Sequence, residues 1–364
     1  MPLGILARVT YHHRIGGITT TLKRKLLITF LALGLGAFAG RSVVASTLIN
    51  GAGATFPYPI YSQWFDEYAK VSSAKFNYQS IGSGGGIKAL KDKTVDFGAS
   101  DAPLSDEEAA QMPGPVLHFP AVMGAVVLAY NLDSIKEPLH LSGPVVADIF
   151  LGKIVSWSDP AIAALNPGVK LPDDPIVTAH RSDGSGTSYI FTDYLTKVSP
   201  EWASKAGKGK SVKWPVGVGA KGNEGVTGVI QQTPGAIGYV ELIYALSNKI
   251  PFATIKNRDG NWVVPSLQGV TAAAAGAAAN MPSDFRVSIT DAPGADSYPI
   301  SSFTWLLVYK QQSDRSTGEA LINFIKWALT DGQKFTAGLN YASIPPAVVE
   351  KEMAQLNQIV LPAK

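Results

Sequence analysis

The 364-residue sequence contains no cysteine, and this absence excludes several classes of protein. Without thiols the chain has no disulfide framework, no thiolate metal site, no cysteine nucleophile and no cysteine for a lipid anchor. Charged residues are also sparse, at 16% of the chain, while 36 glycines and 24 prolines indicate many turns. This composition is typical of a compact α/β protein and not of a disordered or coiled-coil chain.

The first 45 residues lack acidic side chains, although they carry six of the 31 Lys and Arg residues. Basic residues at 23–25 precede an apolar run over 26–40, and small residues then suit cleavage after Ala45. A membrane anchor is the alternative, but the run is shorter than the roughly 20 residues that span a bilayer. We therefore expect residues 1–45 to be a signal-peptide region, followed by a periplasmic protein with no stable membrane anchor.

The chain after this leader is mildly acidic, because it holds all 28 acidic residues but not all of the basic ones. It has no basic surface signature for nucleic acid, so we expect no nucleic-acid partner. Two domains are expected at this length, because single cores rarely grow beyond about 250–300 residues. No repeat of fixed period is present, and we expect a monomer.

Strand-like apolar runs alternate with helix-like patterns along the chain. Residues 61–68 place aromatic side chains on one helical face, and Ser105 with Glu108 predicts a capping box. Residues 249–299 show no clear pattern. The alternation predicts an α/β protein with parallel-type sheets flanked by helices, in which ligands bind at the carboxyl ends of strands.

Three turns share one design, in which a predicted strand runs into small residues and a hydroxyl and then opens a helix. They are residues 53–56 (GATF), 82–86 (GSGGG) and 184–188 (GSGTS). Helix N-termini attract anions through free N–H groups and partial positive charge. Each turn alone can be an ordinary N-cap, but three together predict a site for a small oxyanion. Neither a P-loop nor a dinucleotide-binding fingerprint occurs, which argues against a nucleotide.

Two charged residues near these turns predict which anion is bound. Arg181 can give two parallel hydrogen bonds to an oxyanion with Asp183 orienting it, although the pair can also be purely structural. Asp101 would repel an anion unless that anion donates a proton, which inorganic phosphate carries near neutral pH and sulfate does not. Asp101 therefore predicts a preference for phosphate, with a turn residue before Pro103 as the alternative.

Several stretches resemble the periplasmic phosphate-binding protein family of bacterial high-affinity phosphate ABC transporters. They are NGAGATFPYPIYSQW, NYQSIGSGGGIKAL, TVDFGASDAPLSDE, DIFLGKIVSW, RSDGSGTSYIFTDYL, VKWPVGVGAKGNEGV and PGAIGYVE, in family order over most of the chain after Ser46. The resemblance implies the two-domain periplasmic binding protein fold, with inorganic phosphate in the cleft between domains. It also implies delivery to the membrane permease subunits of the transporter, no catalysis and no cofactor.

The resemblance further implies a set of binding residues and a domain division. Carried over by motif, the phosphate ligands are Thr55, Phe56 through its backbone N–H, Ser83, Asp101, Arg181, Ser185, Gly186 and Thr187, with Asp183 supporting Arg181. The chain is expected to cross between domains near Tyr130 and near Pro299. Domain one would then comprise 46–129 plus 300–364, and domain two 130–299.

Two other functions are compatible with parts of the sequence. A hydrolase is suggested by Ser185 near Asp183 and His180, but the motif is not G-x-S-x-G and triad members usually come from distant segments. A binder of sulfate, molybdate or an organic phosphate is the nearer alternative, and Asp101 is the discriminating feature. The lysine-rich run over 205–213 is expected to be a solvated loop.

Overall fold

The strands of the protein form two sheets, described over residues 46–363 in a computed structural model. The strands are β1 (Leu48–Gly53), β2 (Lys75–Ser80), β3 (Phe97–Ser100), β4 (Val116–Tyr130), β5 (His140–Ser142), β6 (Val177–Arg181), β7 (Val218–Ala220), β8 (Ala236–Glu241), β9 (Thr254–Lys256), β10 (Trp262–Val263) and β11 (Ser301–Tyr309). The main sheet has the order β2-β1-β3-β11-β4-β8-β6-β7. A small sheet has the order β10-β9-β5.

Helices cover the main sheet and connect most of its strands. They are α1 (Tyr58–Tyr68), α2 (Ser83–Lys91), α3 (Asp106–Ala110), α4 (Gly143–Phe150), α5 (Pro160–Ala163), α6 (Gly186–Val198), α7 (Pro200–Lys205), α8 (Gly222–Gln232), α9 (Leu242–Ser247), α10 (Leu267–Ala279), α11 (Arg315–Leu329) and α12 (Pro346–Leu356). Two short 3₁₀ helices, Asp331–Phe335 and Ala337–Leu339, precede α12. The fold is therefore of the α/β class.

The main sheet is mixed, which corrects the prediction of parallel-type sheets. β1 pairs parallel with β2 and β3, and β6 pairs parallel with β7 and β8, as the alternation of strands and helices predicted. The central strands β4 and β11 instead pair antiparallel with each other and with their outer neighbours. A fully buried strand shows the same apolar run in either direction, so the sequence pattern does not reveal this reversal.

Strand β4 changes partners about two thirds of the way along its length. Its residues from Val116 to Ala125 pair with β11, and those from Val126 to Tyr130 pair with β8. We call the part built on β1, β2, β3, β11 and residues 116–125 the first lobe, and the part built on β6, β7, β8 and residues 126–130 the second lobe. The N–H of Val126 donates to the carbonyl of Ile300 over 2.8 Å, so the two crossing segments lie side by side.

Several local predictions are confirmed by the elements around the sheet. The aromatic face of α1 is buried, and Tyr68 packs edge-on against Phe324 of α11 with ring centroids 5.3 Å apart. The capping box of Ser105 and Glu108 begins α3. Helix α10 was not predicted, because its run of alanines offers no apolar periodicity to detect.

The predicted signal-peptide region and the cleavage after Ala45 lie outside the described residues. Ser46–Lys364 forms one compact unit. Between residues 46 and 363, no helix combines the length and the apolar character needed to cross a bilayer.

Candidate functional site

The three predicted turns follow strands β1, β2 and β6, and they meet between the two lobes. The hydroxyl-bearing side chains Thr55, Ser83, Ser185 and Thr187 are all buried, with at most 2% of their surface exposed. The backbone N–H of Gly84 donates to the carbonyl of Gly184 over 2.8 Å, which joins the second turn to the third across the lobes. The carboxyl ends of strands from both lobes thus supply one site, as expected for α/β sheets.

Close backbone approach requires glycine at the third turn. A Cβ atom added to Gly186 would lie 2.6 Å from both Cβ and Oδ2 of Asp101, and closer still to Oγ of Ser83. No ordinary side chain fits such a space without displacing these neighbours. Gly186 therefore lets the start of α6 reach the first lobe.

Among the hydroxyls of Thr55, Ser83 and Ser185, two are not helix caps. Thr55 precedes Pro57, which is the N-cap of α1 and makes no side-chain cap bond, and Ser83 lies inside α2, where Gly82 is the N-cap. Only Ser185 of the three is an ordinary N-cap, accepting from the N–H of Ser188 over 3.0 Å. The hydroxyls of Thr55 and Ser83 therefore have another role.

Ser83 and Asp101 connect the second turn with the end of β3. The Ser83 Oγ accepts from the N–H of Asp101 (3.2 Å) and from the N–H of Gly186 (3.0 Å). The Asp101 Oδ1 accepts from the hydroxyl of Thr304 over 2.8 Å. Burial raises the pKa of Asp101 to about 7, although the Thr304 hydrogen bond and the charge of Arg181 oppose the rise.

Arg181 is held in a fixed orientation by Asp183. Its Nε and Nη2 atoms lie 2.7 and 2.5 Å from the two carboxylate oxygens, and the Arg181 side chain is 1% exposed. Burial raises the pKa of Asp183. The ion pair with Arg181 and the hydrogen bond from the N–H of Gly222 lower this pKa by more than burial raises it, so the net shift is downward. The predicted contact between Asp183 and Arg181 is therefore present. The remaining nitrogen of the guanidinium, Nη1, donates to the hydroxyl of Thr187 over 3.3 Å.

Asn223 lies at the centre of the site, although the sequence analysis did not single it out. It is fully buried, and its Nδ2 donates to Thr55 Oγ1 (2.7 Å) and to Thr187 Oγ1 (3.2 Å), which belong to different lobes. Asn223 is the second residue of α8, which follows β7 through a glycine turn at Gly222 with φ +75°. This turn also joins a strand to a helix through a glycine, but it carries an amide where the other three carry a hydroxyl, and β7 is short and mostly exposed and gave no strand signal.

An ion pair joins the lobes at the rim of the site, where Lys210 Nζ lies 2.7 Å from Glu108 Oε2. A second ion pair joins Arg286 Nη1 to Asp106 Oδ1 over 2.7 Å. The prediction of a solvated lysine loop is wrong for Lys210, whose side chain is 17% exposed. It failed because Glu108 belongs to the other lobe and is remote in sequence.

The arrangement does not assemble the hydrolase alternative. His180 stacks on Trp214 with ring centroids 4.8 Å apart, and its Nδ1 lies 3.1 Å from the Arg181 carbonyl oxygen. The Ser185 Oγ accepts from a helix N–H, and among the described residues it donates to no imidazole. In the part of the chain that the structure describes, no group of three or more His, Asp or Glu side chains is arranged to hold a metal ion.

Comparisons with known proteins agree on one family. The profile described as "PBP superfamily domain" matches residues 40–332. The chain is 49% identical over 307 residues to "Phosphate-binding protein PstS" of Xylella fastidiosa (strain 9a5c), with 84% of each chain covered. It is 46% identical over 308 residues to the protein of that name from Pasteurella multocida (strain Pm70), covering 84% of this chain and 89% of the relative.

Solved structures show the same fold at lower identity. The X-ray crystal structure of a phosphate-binding protein (PBP) from Stenotrophomonas maltophilia has a TM-score of 0.65 to this chain at 21% identity. The match covers 85% of this chain and 94% of that one. The fold is therefore shared well beyond the range of close sequence similarity.

Proposed function

This chain belongs to the PBP superfamily and, within it, to the family of phosphate-binding proteins of phosphate ABC transporters, and from that premise we propose that it binds inorganic phosphate between its lobes. Its role is binding and not catalysis, and the relatives are named as phosphate-binding proteins. The bound anion would be delivered to the membrane permease subunits of such a transporter.

The observation that carries the proposal is the convergence of hydrogen-bond donors between the lobes. Arg181 brings a full positive charge to a buried position, and charge-assisted hydrogen bonds are strong there. Ser83 already accepts from two N–H groups, so its own proton is free to be donated. A buried cluster of donors beside one guanidinium suits a small anion with several oxygens, and phosphate is such an anion.

Asp101 is proposed as the group that selects phosphate over sulfate. One of its oxygens is occupied by the Thr304 hydroxyl, while Oδ2 lies beside Gly186 at the start of α6. A phosphate proton would be accepted by Oδ2. Sulfate has no such proton, and its oxygens would face a buried carboxylate that lacks a donor, which is a large penalty.

The remaining expectations complete the proposal. We propose that the protein acts as a monomer in the periplasm, reached through the N-terminal signal with cleavage after Ala45. The domain division into 46–129 with 300–364 and 130–299 is also proposed. It is supported by the change of sheet partners between Ala125 and Val126, which lies close to the first of these boundaries.

Calorimetric titration of residues 46–364 with phosphate and then with sulfate tests the proposal. The protein would first be freed of bound anion by partial unfolding and dialysis. We expect tight one-to-one phosphate binding that excess sulfate does not displace. In Asp101→Asn, the preference for phosphate should fall while the melting temperature without ligand changes little. Absence of heat with phosphate, or equal competition by sulfate in the unaltered protein, would contradict the proposal.

A further inference from the structure

Asn223 uses every hydrogen-bonding group of its side chain within the protein. One amide proton is directed to Thr55 Oγ1 and the other to Thr187 Oγ1, while Oδ1 accepts from the N–H of Glu241 over 2.9 Å. Because Oδ1 is engaged by a backbone donor, the amide cannot be turned over without losing three contacts. The NH₂ group is therefore directed at the two threonines.

The backbone of Asn223 is anchored as firmly as its side chain. Its carbonyl accepts from the hydroxyl of Thr227, one turn further along α8, over 2.8 Å. Glu241, which holds the amide oxygen, pairs with Val126 where β4 changes partners. The position of the amide is thus set by a helix and a strand of the second lobe, and not by a flexible loop.

The hydroxyl of Thr55 is left with a proton to donate. A hydroxyl oxygen has two acceptor positions and one O–H donor. At Thr55 the two acceptor positions face the backbone N–H of Asn223 (3.2 Å) and its Nδ2 (2.7 Å). The remaining capacity of this hydroxyl is therefore donation.

The hydroxyl of Thr187, in the second lobe, also has both acceptor positions occupied and a proton left to donate. Its oxygen faces Nη1 of Arg181 (3.3 Å) and Nδ2 of Asn223 (3.2 Å). Both threonine side chains are buried, with no more than 2% exposed, so bulk solvent does not reach them in this arrangement. One amide thus acts on a hydroxyl from each lobe.

We propose that Asn223 is a positioning residue that fixes the direction of the Thr55 and Thr187 hydroxyl protons, so that both hydroxyls act as donors to an anion held between the lobes. This inference rests on the proposed function. Without the Asn223 side chain each hydroxyl loses one of its two donors, because only the backbone N–H of residue 223 remains at Thr55 and only Arg181 at Thr187, and each can then turn a lone pair toward the anion. The cost of ordering and redirecting two hydroxyls would then be met at every binding event.

A double-mutant cycle on phosphate affinity tests this assignment. Asn223→Ala should raise the dissociation constant about 10- to 100-fold, the range for one lost hydrogen bond to a charged group. In a Thr55→Val/Thr187→Val background, the same substitution should raise it less than about threefold, because the hydroxyls through which Asn223 acts are gone. Asn223→Leu, which keeps the side-chain volume, should behave like Asn223→Ala.

Asn166 provides the matched control. It is 4% exposed, and its Nδ2 also donates to two oxygens, the carbonyls of His140 and Ile162. Asn166→Ala should lower the melting temperature without changing phosphate affinity. A comparable affinity loss in Asn166→Ala would mean that any buried amide has this effect, and would overturn the assignment.

The possible failures are distinguishable. If the unaltered protein takes up no phosphate, the proposed function fails and this inference fails with it. If it binds phosphate but Asn223→Ala has the same effect in both backgrounds, only the assignment of Asn223 is overturned. Loss of folding in both Asn223→Ala and Asn223→Leu would mark a structural role and would also overturn the assignment.

Discussion

At the scale of single residues, the proposed role of Asp101 predicts that the selectivity of the site for phosphate over sulfate depends on pH. Burial raises its pKa to about 7, so the carboxyl is protonated below that pH and charged above it. A protonated carboxyl can donate to sulfate, whereas a charged one repels it. Sulfate affinity is therefore expected to be higher at low pH and lower at high pH.

We expect the sulfate affinity of the unaltered protein to fall about tenfold for each pH unit above 7 and to level off below it, as for linkage to one proton. Competition titrations between pH 5.5 and 9 would measure this. In Asp101→Asn the sulfate affinity should not vary over the same range. A sulfate affinity that depends on pH equally in both proteins would remove Asp101 from the site.

Gly186 offers a second test at this scale. In Gly186→Ala the new methyl group would collide with Ser83 and Asp101, and we expect phosphate affinity to fall about 10- to 100-fold from overpacking. Gly228→Ala in α8 is the control, because its methyl group meets nothing within 4 Å. That substitution should raise the free energy of unfolding by about 0.5–1 kcal/mol and leave affinity unchanged. Equal affinities for the two variants, measured by calorimetry, would contradict the close approach.

At the scale of elements, His118 ties three parts of the first lobe together. Its Nε2 accepts from the N–H of Leu104 over 3.1 Å, and its carbonyl accepts from Gln355 of α12. Burial, followed by the charge of Arg286, lowers the pKa of His118 to about 4 against the partial compensation of Asp284. The neutral imidazole is therefore the form that the fold requires.

Neutral His118 contributes to the free energy of unfolding. This contribution should be fully present above pH 6.5, the ordinary pKa of histidine, and should be lost as the pH falls toward 4. The loss is expected to reach about 3 kcal/mol of unfolding free energy, at about 1.4 kcal/mol per pH unit. Urea unfolding at several pH values would measure it. The His118→Gln variant should show a flatter profile, whereas His140→Gln should keep that of the unaltered protein.

Local signals in the sequence were sufficient to predict the three turns and most of the helices and strands. The turns around Thr55, Ser83 and Ser185 were predicted because glycine, hydroxyl and helix start lie within a few residues. Thr304 and Asn223 were not predicted, since their partners Asp101 and Thr55 lie 203 and 168 residues away. Strand direction was missed for a related reason, because burial on both faces removes the alternation that distinguishes one kind of sheet from another.

At the scale of the whole molecule, the ion pair at the rim should favour the joined arrangement of the lobes. We expect Lys210→Met, which removes the pair with Glu108, to raise the phosphate dissociation constant about threefold at low salt, the effect of a partly exposed ion pair. At about 1 M salt the difference should vanish, because charges are then screened within roughly 3 Å. Lys205→Met, which removes a pair with Glu201 inside one lobe, should leave affinity unchanged at both salt concentrations.

The paired crossing segments at Val126 and Ile300 have a mechanical consequence. A single connection would let one lobe swivel, tilt and slide against the other, whereas two peptide chains bonded side by side leave one easy degree of freedom, a rotation about the line that they define. Under the proposed domain division, movement along that arc would return Thr55 and Thr187 to the same relative position each time the lobes meet. Reproducible alignment of groups far apart in the sequence would thus come from the hinge itself, before any ligand contributes.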